Sequence, residues 1–504
     1  MQQPSKHVAL VAFYNTRALG VRYLESALRK HGYEVTTIYF KDFNSIHPRP
    51  ATAEEVELLC GEIERCKPAF IALSVMSSMY LDTVNMLMER LQQKFDLPIA
   101  CGGAFATMFP EYLLERGATC VLRSDGEHTI CQLADAIVEG RSYHDIPSLC
   151  YRDEAGEVHK NEIGCIENDI DLYGLPTIHC PDSCFIESNT LKRCDPQLEA
   201  LSYEVVASRG CPFTCSYCAG SNLSHLNPKG IRTVRTRSVE SVMEELIIAK
   251  KSMKKLVFVH FYDEIFPNTP GWVDKFVVEY KKHINLPFTI WSHPKMVNKE
   301  MLDKLVKVGL TEVIMGIQTG SPRIRKDIFH RYESSEDVIK ATQVIHDAGV
   351  FWATYDFMLQ HPFETIEDIQ QSFHLIEQMV PPFELQLHGL NFLPGTDIIP
   401  LAIEQGYYTK EELNHIMFAP MEEQFNTFWK WEKSEESSLW FELIYCLQFP
   451  NLRAKAQAWS KDPWANEAAI HAAYAKAQKQ YRTRYLMKKG RVVLKSMRMR
   501  VFGR

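Results

Sequence analysis

Two long runs of alternating strand and helix signals constrain this chain more than any other feature. In the first 150 residues, short β-branched or apolar runs at 8–13, 34–40, 69–75, 99–102 and 120–123 alternate with helix-like stretches at 19–30, 53–66, 80–95, 110–116 and 127–139. Five such βα units bury both faces of a sheet as a doubly wound, flavodoxin-like (Rossmann-like) α/β domain, whose ligand sits at the carboxyl ends of the strands. After a weakly periodic stretch rich in Pro, Asp and Asn, the alternation resumes. Strand signals at 205–208, 256–261, 288–291, 312–317, 352–359 and 385–393 predict a partial (β/α)6 barrel, with its chemistry at the carboxyl-terminal mouth. The expected organisation is a sheet domain over 1–150, a linker with a small hairpin over 151–198, the barrel over 199–400 and a separate helical region over 401–504.

Composition narrows the setting. With 46% apolar and 24% charged residues, a chain of 504 residues has ample core material, which excludes a disordered chain or a small disulfide-stapled scaffold. Fourteen cysteines scattered over that length make no disulfide framework. The longest uncharged stretches, 68–81 and 97–110, are too short and too interrupted by Ser and Gly to span a bilayer. The N-terminus lacks a signal-peptide layout, so a reducing, cytoplasmic setting is expected. The net charge of −7 hides an asymmetry: eleven Lys and Arg and no acid lie between Lys476 and Arg504, leaving −18 on the rest. The acidic body argues against nucleic acid as a partner. The tail is expected to be a solvated terminal helix, or to dock on an acidic partner, an acidic substrate or a membrane surface.

The sharpest motif is Ser208-Arg209-Gly210-Cys211-Pro212-Phe213-Thr214-Cys215-Ser216-Tyr217-Cys218, which follows directly on the first barrel strand. Three soft thiolates at C-x3-C-x2-C spacing on one compact loop can hold an iron–sulfur cube and leave one iron open. Structural zinc would want a fourth protein ligand, and the loop supplies none. The motif resembles the signature of the radical S-adenosylmethionine (SAM) superfamily. That resemblance implies a [4Fe-4S] cluster on Cys211, Cys215 and Cys218, with SAM chelated by the open iron and cleaved to a 5′-deoxyadenosyl radical. Further segments resemble the SAM-side elements of that family. They are Phe261-Tyr262-Asp263-Glu264-Ile265-Phe266, Met315-Gly316-Ile317-Gln318-Thr319-Gly320-Ser321, Asp356 to Thr365 with His361 at a usually small position, and Asn391-Phe392-Leu393-Pro394-Gly395-Thr396. The SAM contacts so implied are Phe213, Tyr217, Asp263, Gln318, Thr319 and Ser321.

The set of motifs is similar to that of the subgroup with an N-terminal cobalamin (B12)-binding domain, the class B radical SAM methyltransferase-like enzymes. Cys101 to Glu111 resembles G-G-x-H-x-T-x-x-P-E, with Phe105 at the His position, and Ser124 to Thr129 resembles G-E-G-E-x-T. No G-x-G-x-x-G follows the first strand, which disfavours a nicotinamide or flavin dinucleotide, and no D-x-H-x-x-G occurs, so no lower-face imidazole comes from that motif. The expected cobalamin contacts are Asn15, Leu19, Gly20, Ser74, Ser77, Gly102, Gly103, Thr107, Gly126 and Glu127. A domain that merely packs on the barrel is the structural alternative. Upstream, Cys180, Cys184 and Cys194 could form a second metal site with Cys165 or His179, or be ordinary buried thiols. His260, Tyr262, His293, Tyr355, Asp356 and His388 fall near strand ends, where substrate contacts belong. The aromatic run Phe428–Trp431 with Trp440 and Phe441 reads as C-terminal core.

The resemblance implies a cobalamin-dependent radical SAM enzyme. By it, one SAM methylates cob(I)alamin, a second yields the radical that abstracts a substrate hydrogen, and methylcobalamin gives its methyl to an unactivated carbon or a phosphinate. It also implies a small-molecule or peptide substrate and a flavodoxin- or ferredoxin-type electron donor. The alternatives are a cobalamin-dependent cyclase, rearrangement or oxidative enzyme, a tRNA-modifying radical SAM enzyme, and a non-catalytic cobalamin carrier, which would not need the three cysteines.

Overall fold

The computed structural model describes residues 5–43, 48–164, 166–359, 361–424 and 434–502. Its first sheet is built from β1 (His7–Phe13), β2 (Glu34–Phe40), β3 (Phe70–Ser74), β4 (Ile99–Gly102), β5 (Cys120–Leu122), β6 (Leu149–Arg152), β7 (Val158–Lys160), β8 (Ser183–Glu187) and β9 (Thr190–Lys192). The spatial order is β7-β6-β5-β4-β3-β1-β2-β8-β9. Its central portion, 2-1-3-4-5, is the flavodoxin-like doubly wound order, with the switch point between β1 and β3. Along β1, Val8, Leu10 and Ala12 enter one apolar core, while Ala9, Val11 and Phe13 enter the other. A strand covered by helices on both faces therefore reads as an unbroken hydrophobic run.

The segment expected to be a linker extends this sheet. β8 pairs in parallel with β2, in register Thr37 with Ser183, and β9 turns back on β8; at the other edge β6 and β7 pair antiparallel beyond β5. Strands of three to five residues carry too few positions for a period to show, and their hydrogen bonds come from neighbours far away in sequence.

The second sheet orders β10 (Ser202–Val205), β13 (Phe258–Phe261), β14 (Phe288–Ser292), β15 (Leu310–Gln318), β16 (Trp352–Met358) and β17 (Glu384–His388) consecutively. All its neighbours are parallel, as in a partial six-stranded barrel. A two-residue ribbon, β11 (Ser208–Arg209) with β12 (Arg235–Thr236), stands over its mouth. The strand faces differ in kind. Val313, Met315 and Ile317 of β15 pack outward in the helix-covered core, and Glu312, Ile314 and Gly316 alternate inward.

The helical C-terminal region shares this barrel core and is not a separate unit. Leu439, Trp440, Leu443 and Ile444 of the helix Glu435–Cys446 join the barrel cluster, with Trp440 edge-on to Phe373. The run Phe428–Trp431 lies outside the described residues. The last helix, Glu467–Phe502, has 36 residues and is about 54 Å long at 1.5 Å per residue. It crosses the amino-terminal floor of the barrel. Lys488 pairs with Glu312 at 2.5 Å and Glu384 at 3.6 Å, Arg484 donates to the Phe383 carbonyl at 2.8 Å, Lys495 to that of Leu310 at 3.4 Å, and Arg500 to that of Leu256. The tail thus docks on the chain's own barrel, with Lys488 on two acids and Arg484, Lys495 and Arg500 on backbone carbonyls. Among the described residues no helix is long and apolar enough to cross a membrane.

Candidate functional site

The cysteine loop is set by the turn that precedes it. Asp263, at the end of β13, accepts hydrogen bonds from the Ala207 amide at 2.9 Å and the Ser208 hydroxyl at 2.6 Å through the same oxygen. These bonds tie the exit of β10 to the neighbouring strand. Gly210 then turns with φ +95°, and a Cβ there would lie 1.9 Å from the Thr233 carbonyl oxygen, so only glycine permits the approach. Cys215 is buried, and Cys211 and Cys218 are half-buried. Their three sulfurs do not all lie within 4.8 Å of one another. Tetrahedral ligands of a single zinc, with Zn–S about 2.3 Å, would sit about 3.8 Å apart. The loop therefore frames an object wider than one ion, which fits a cube of iron and sulfide. Burial pushes the Cys211 thiol up to about 12, so it ionises only when a metal centre takes the charge.

Around the loop lie the expected SAM residues. Phe213 stacks on His293 at 3.8 Å between ring centroids, and the half-buried Tyr217 lies edge-on to Phe329. Asp263 keeps a second oxygen buried without a partner among the described residues, and burial raises its carboxyl to about 7. Its neighbour Glu264 stands beside the thiols: a Cβ on Gly220 would meet both Glu264 Oε1, at 3.3 Å, and Cys218 Sγ, at 3.5 Å. Gln318 adopts φ +72°, and its buried Oε1 has no partner among the described residues.

Thr319 and Ser321 are turned differently. The Ser321 hydroxyl donates to Asp368 at 2.6 Å, Thr319 Oγ1 accepts from the Ser321 amide, and Asp368 also accepts from Arg323 and from Thr365. The fourth-strand and fifth-strand motifs thus meet on one carboxylate, and these two residues hold the turn together. His361, which replaces a small residue, is fully buried between Phe329 and Phe363.

Arg331 carries no local signal in the sequence. Its guanidinium donates to Glu333 at 2.7 Å, the Gly316 carbonyl at 2.7 Å and the Tyr217 hydroxyl at 3.2 Å, and it lies 3.9 Å from Cys215 Sγ. It joins the cysteine loop to the fourth strand. Burial alone would raise the Glu333 carboxyl, but His293 and Arg331 together hold it at about 2.

Between the two sheets lies a cavity of about 390 Å³. One wall consists of Leu19, Gly20, Ser74, Gly102, Gly103, Thr107, Gly126 and Glu127, eight of the ten expected cobalamin residues. It reaches inward to Leu10, Ala72 and Ala100 between the sheet and its helices. The opposite wall brings Cys211, Gly220, Leu223 and Glu264. Gly103 has φ +104°, and a Cβ would lie 2.7 Å from the Val75 carbonyl oxygen. Glu127 leaves one buried oxygen without a partner among the described residues. An apolar slot with a glycine-flattened rim and a spare buried acceptor fits the corrin of cobalamin and its nucleotide tail.

Asn15 and Ser77 are not on this wall. Asn15 accepts the amides of Arg17 and Ala18, and Ser77 accepts that of Met79; both cap the turns after their strands. Arg17 reaches across to Glu204 and to Ser202 of β10. A second bridge joins the domains beside the cavity. Arg209 pairs with Glu127 at 2.5 Å and Asp125 at 3.2 Å and lies over the rings of Tyr23 and Tyr173, and Arg235 adds a 2.7 Å contact to Asp125. Burial would raise the Asp125 carboxyl, but these two guanidiniums hold it below the usual range. The S-D-G-E substitution of the family-like motif therefore anchors the strand that leads into Cys211.

The upstream cysteines do not gather. Cys180 is buried against Glu25, Tyr39 and Arg22, Cys184 is buried on β8, and Cys194 is exposed; Cys165 lies outside the described residues. Among the described residues the one single-ion ligand group is Asp153, Glu157 and His159, in the β6–β7 hairpin. Tyr355 faces the outer core, away from the barrel interior.

Comparison with known proteins agrees with this geometry. The B12 binding domain family matches residues 5–134, and the radical SAM superfamily matches residues 205–376. An uncharacterized methyltransferase of Pyrococcus horikoshii is 24% identical over 330 residues, which cover 63% of this chain and 66% of that protein. Cytidylyl-2-hydroxyethylphosphonate methyltransferase of Streptomyces wedmorensis is 22% identical over 437 residues, 79% of this chain and 80% of that one. The fold is similar to that of the radical SAM methyltransferase TsrM of Kitasatospora setae, with TM-score 0.62 and 18% identity over 79% of this chain and 76% of that chain. It is also similar to the cobalamin-dependent SAM radical enzyme OxsB, with TM-score 0.64 and 15% identity over 94% and 72%. With a B12-binding domain facing a three-cysteine barrel loop across one cavity, the chain belongs to the cobalamin-binding radical SAM enzymes.

Proposed function

We propose that this protein is a methyltransferase that places a methyl group on an unactivated carbon of a small-molecule substrate. One observation carries the reading: a single cavity has Cys211 of the cysteine loop on one wall and, on the other, the ends of β3 and β4 with Gly102 and Gly103. A transfer between two cofactors needs both to face one space from which water is excluded. When bound, the [4Fe-4S] cluster with SAM would supply a hydrogen-abstracting radical, and cobalamin would supply the methyl group.

The chain's own residues have separate tasks. Cys211, Cys215 and Cys218 hold the cluster, and Arg331 fixes Cys215 relative to Tyr217 and the Gly316 carbonyl. Asp263 and Gly210 shape the entry to the loop, and Glu264 and Gln318 present polar atoms toward SAM. Gly102 and Gly103 let the corrin approach the backbone, and the Arg209 bridge to Asp125 and Glu127 keeps the two walls in register. A flavodoxin- or ferredoxin-type protein delivers the reducing electron. A reducing compartment such as the cytoplasm is supported by the thirteen described cysteines, all of which are free.

The relatives that are methyltransferases by name favour this reading over a rearrangement. The test is anaerobic reconstitution with cluster and cobalamin, followed by incubation with CD3-labelled SAM and candidate substrates. Labelled product together with S-adenosylhomocysteine and 5′-deoxyadenosine is expected. Deoxyadenosine with an unlabelled, altered product would assign the chain to cyclisation or rearrangement instead.

A further inference from the structure

The inner face of the barrel is polar where its outer face is apolar, and its charges do not balance. Glu204 of β10 is matched by Arg17, and Glu312 and Glu384 share Lys488. Thr289 and Thr354 donate to Glu312, and Trp352 donates to Glu384. One acid is left over. Asp356 follows Thr354 by two residues on β16, so it projects to the same inner face, while Tyr355 and Phe357 pack outward. It is 7% exposed, and its Oδ1 has no hydrogen-bond partner among the described residues.

We propose that the barrel interior selects a substrate that carries a protonated amine, and that the Asp356 carboxylate docks it. The inference rests on the barrel interior being the substrate chamber of the reaction proposed above. A buried carboxylate without a counter-charge is costly, and such a group persists where a ligand supplies the missing partner. Burial, then Glu312 and Glu384, push the Asp356 carboxyl up to about 7, and no basic group offsets them. An anionic substrate would add repulsion to this setting; a cation removes it. Tyr262 is 55% exposed, with its ring 6.0 Å from that of Trp291, and offers an aromatic face to a cation or an adjoining ring.

Two further groups await a hydrogen-bonding substrate: His260 Nε2 and Trp291 Nε1 are buried without partners among the described residues. A metal ion does not fit instead, because no three of these His, Asp and Glu side chains bring their ligand atoms within 4.8 Å. The position also suits the chemistry. Asp356 lies in register with Gly316, whose carbonyl is held by Arg331, and Arg331 reaches Cys215. The carboxylate therefore stands one strand away from the residues that frame the cluster.

The test uses reconstituted holoprotein and three matched probes, phenethylamine, phenethyl alcohol and 3-phenylpropionate, with binding measured calorimetrically. The amine is expected to bind about tenfold or more tighter than the carboxylate, the scale of one charge-assisted hydrogen bond. Asp356→Asn is expected to abolish that preference, with iron and cobalamin content unchanged. Should the variant fold poorly, the wild-type protein supplies a second reading. Amine affinity falls as pH drops below about 7 and the carboxyl protonates against Glu312, Glu384 and Lys488, while alcohol affinity stays level. Equal binding of amine and carboxylate, no binding of any probe, or a preference that survives in Asp356→Asn would overturn the proposal. Binding needs no turnover, so a failure here leaves the labelled-methyl result standing, and an absent labelled product leaves the amine preference standing.

Discussion

The two parallel sheets arise from the same kind of sequence alternation, yet they treat their second face in opposite ways. In the first sheet, neighbouring residues of β1 enter two different apolar cores, and the cavity opens at the strand ends and reaches inward to Leu10, Ala72 and Ala100. In the barrel, the outer residues of β15 and β16 fill the helix-covered core, while the inner face mixes Ile314 and Gly316 with the polar Glu312, Thr354 and Asp356. A barrel interior is ordinarily filled with branched apolar side chains. Keeping it polar costs stability, which the terminal helix partly offsets by placing Lys488 between two of the glutamates. The first domain thus offers an apolar slot between sheet and helices, whereas the second turns polar and charged side chains toward its interior.

Three substitutions sharpen that contrast. The largest effect is expected from Cys215→Ala, which removes one of the three proposed cluster ligands. SAM cleavage should fall to background, measured as 5′-deoxyadenosine, with the cobalamin spectrum retained because the first sheet is untouched. Gly103→Ala should act on the other wall alone. The positive φ costs about 1–2 kcal/mol for any other residue, and the methyl would collide with the Val75 carbonyl. Bound cobalamin should drop severalfold at unchanged iron content, and retention of both would refute the assigned rim. Lys488→Met tests the barrel floor. It leaves Glu312 and Glu384 without their counter-charge and should destabilise the chain by about 3 kcal/mol in denaturant titration. A neutral result would mean that the floor is wet enough to screen them.

Much of this was legible before any coordinates. The order of strands, the spacing of Cys211, Cys215 and Cys218 and the glycines at 102 and 103 are local patterns, and each survives in place. Four expectations did not carry over: the linker became β6–β9, Asn15 and Ser77 became turn caps, and the C-terminal helices merged with the barrel. In the fourth, the Ser321 hydroxyl bonds Asp368 and Thr319 Oγ1 accepts the Ser321 amide, so both hydroxyls are engaged within the turn. A motif shows that a residue type is required at a position, but the same hydroxyl can serve a ligand or a turn.

By itself the sequence determined the two βα architectures and singled out the three thiols proposed as cluster ligands, because a period of two, a period of 3.6 and an eight-residue thiol loop are all properties of adjacent residues. Tertiary structure alone decided the rest. Arg209 meets Glu127 from 82 positions away, Lys488 meets Glu312 from 176, and among the described residues Asp356 is left without a cation. Such pairings follow from how two sheets and a terminal helix pack, and the charge that remains unmatched after packing cannot be read from spacing along the chain.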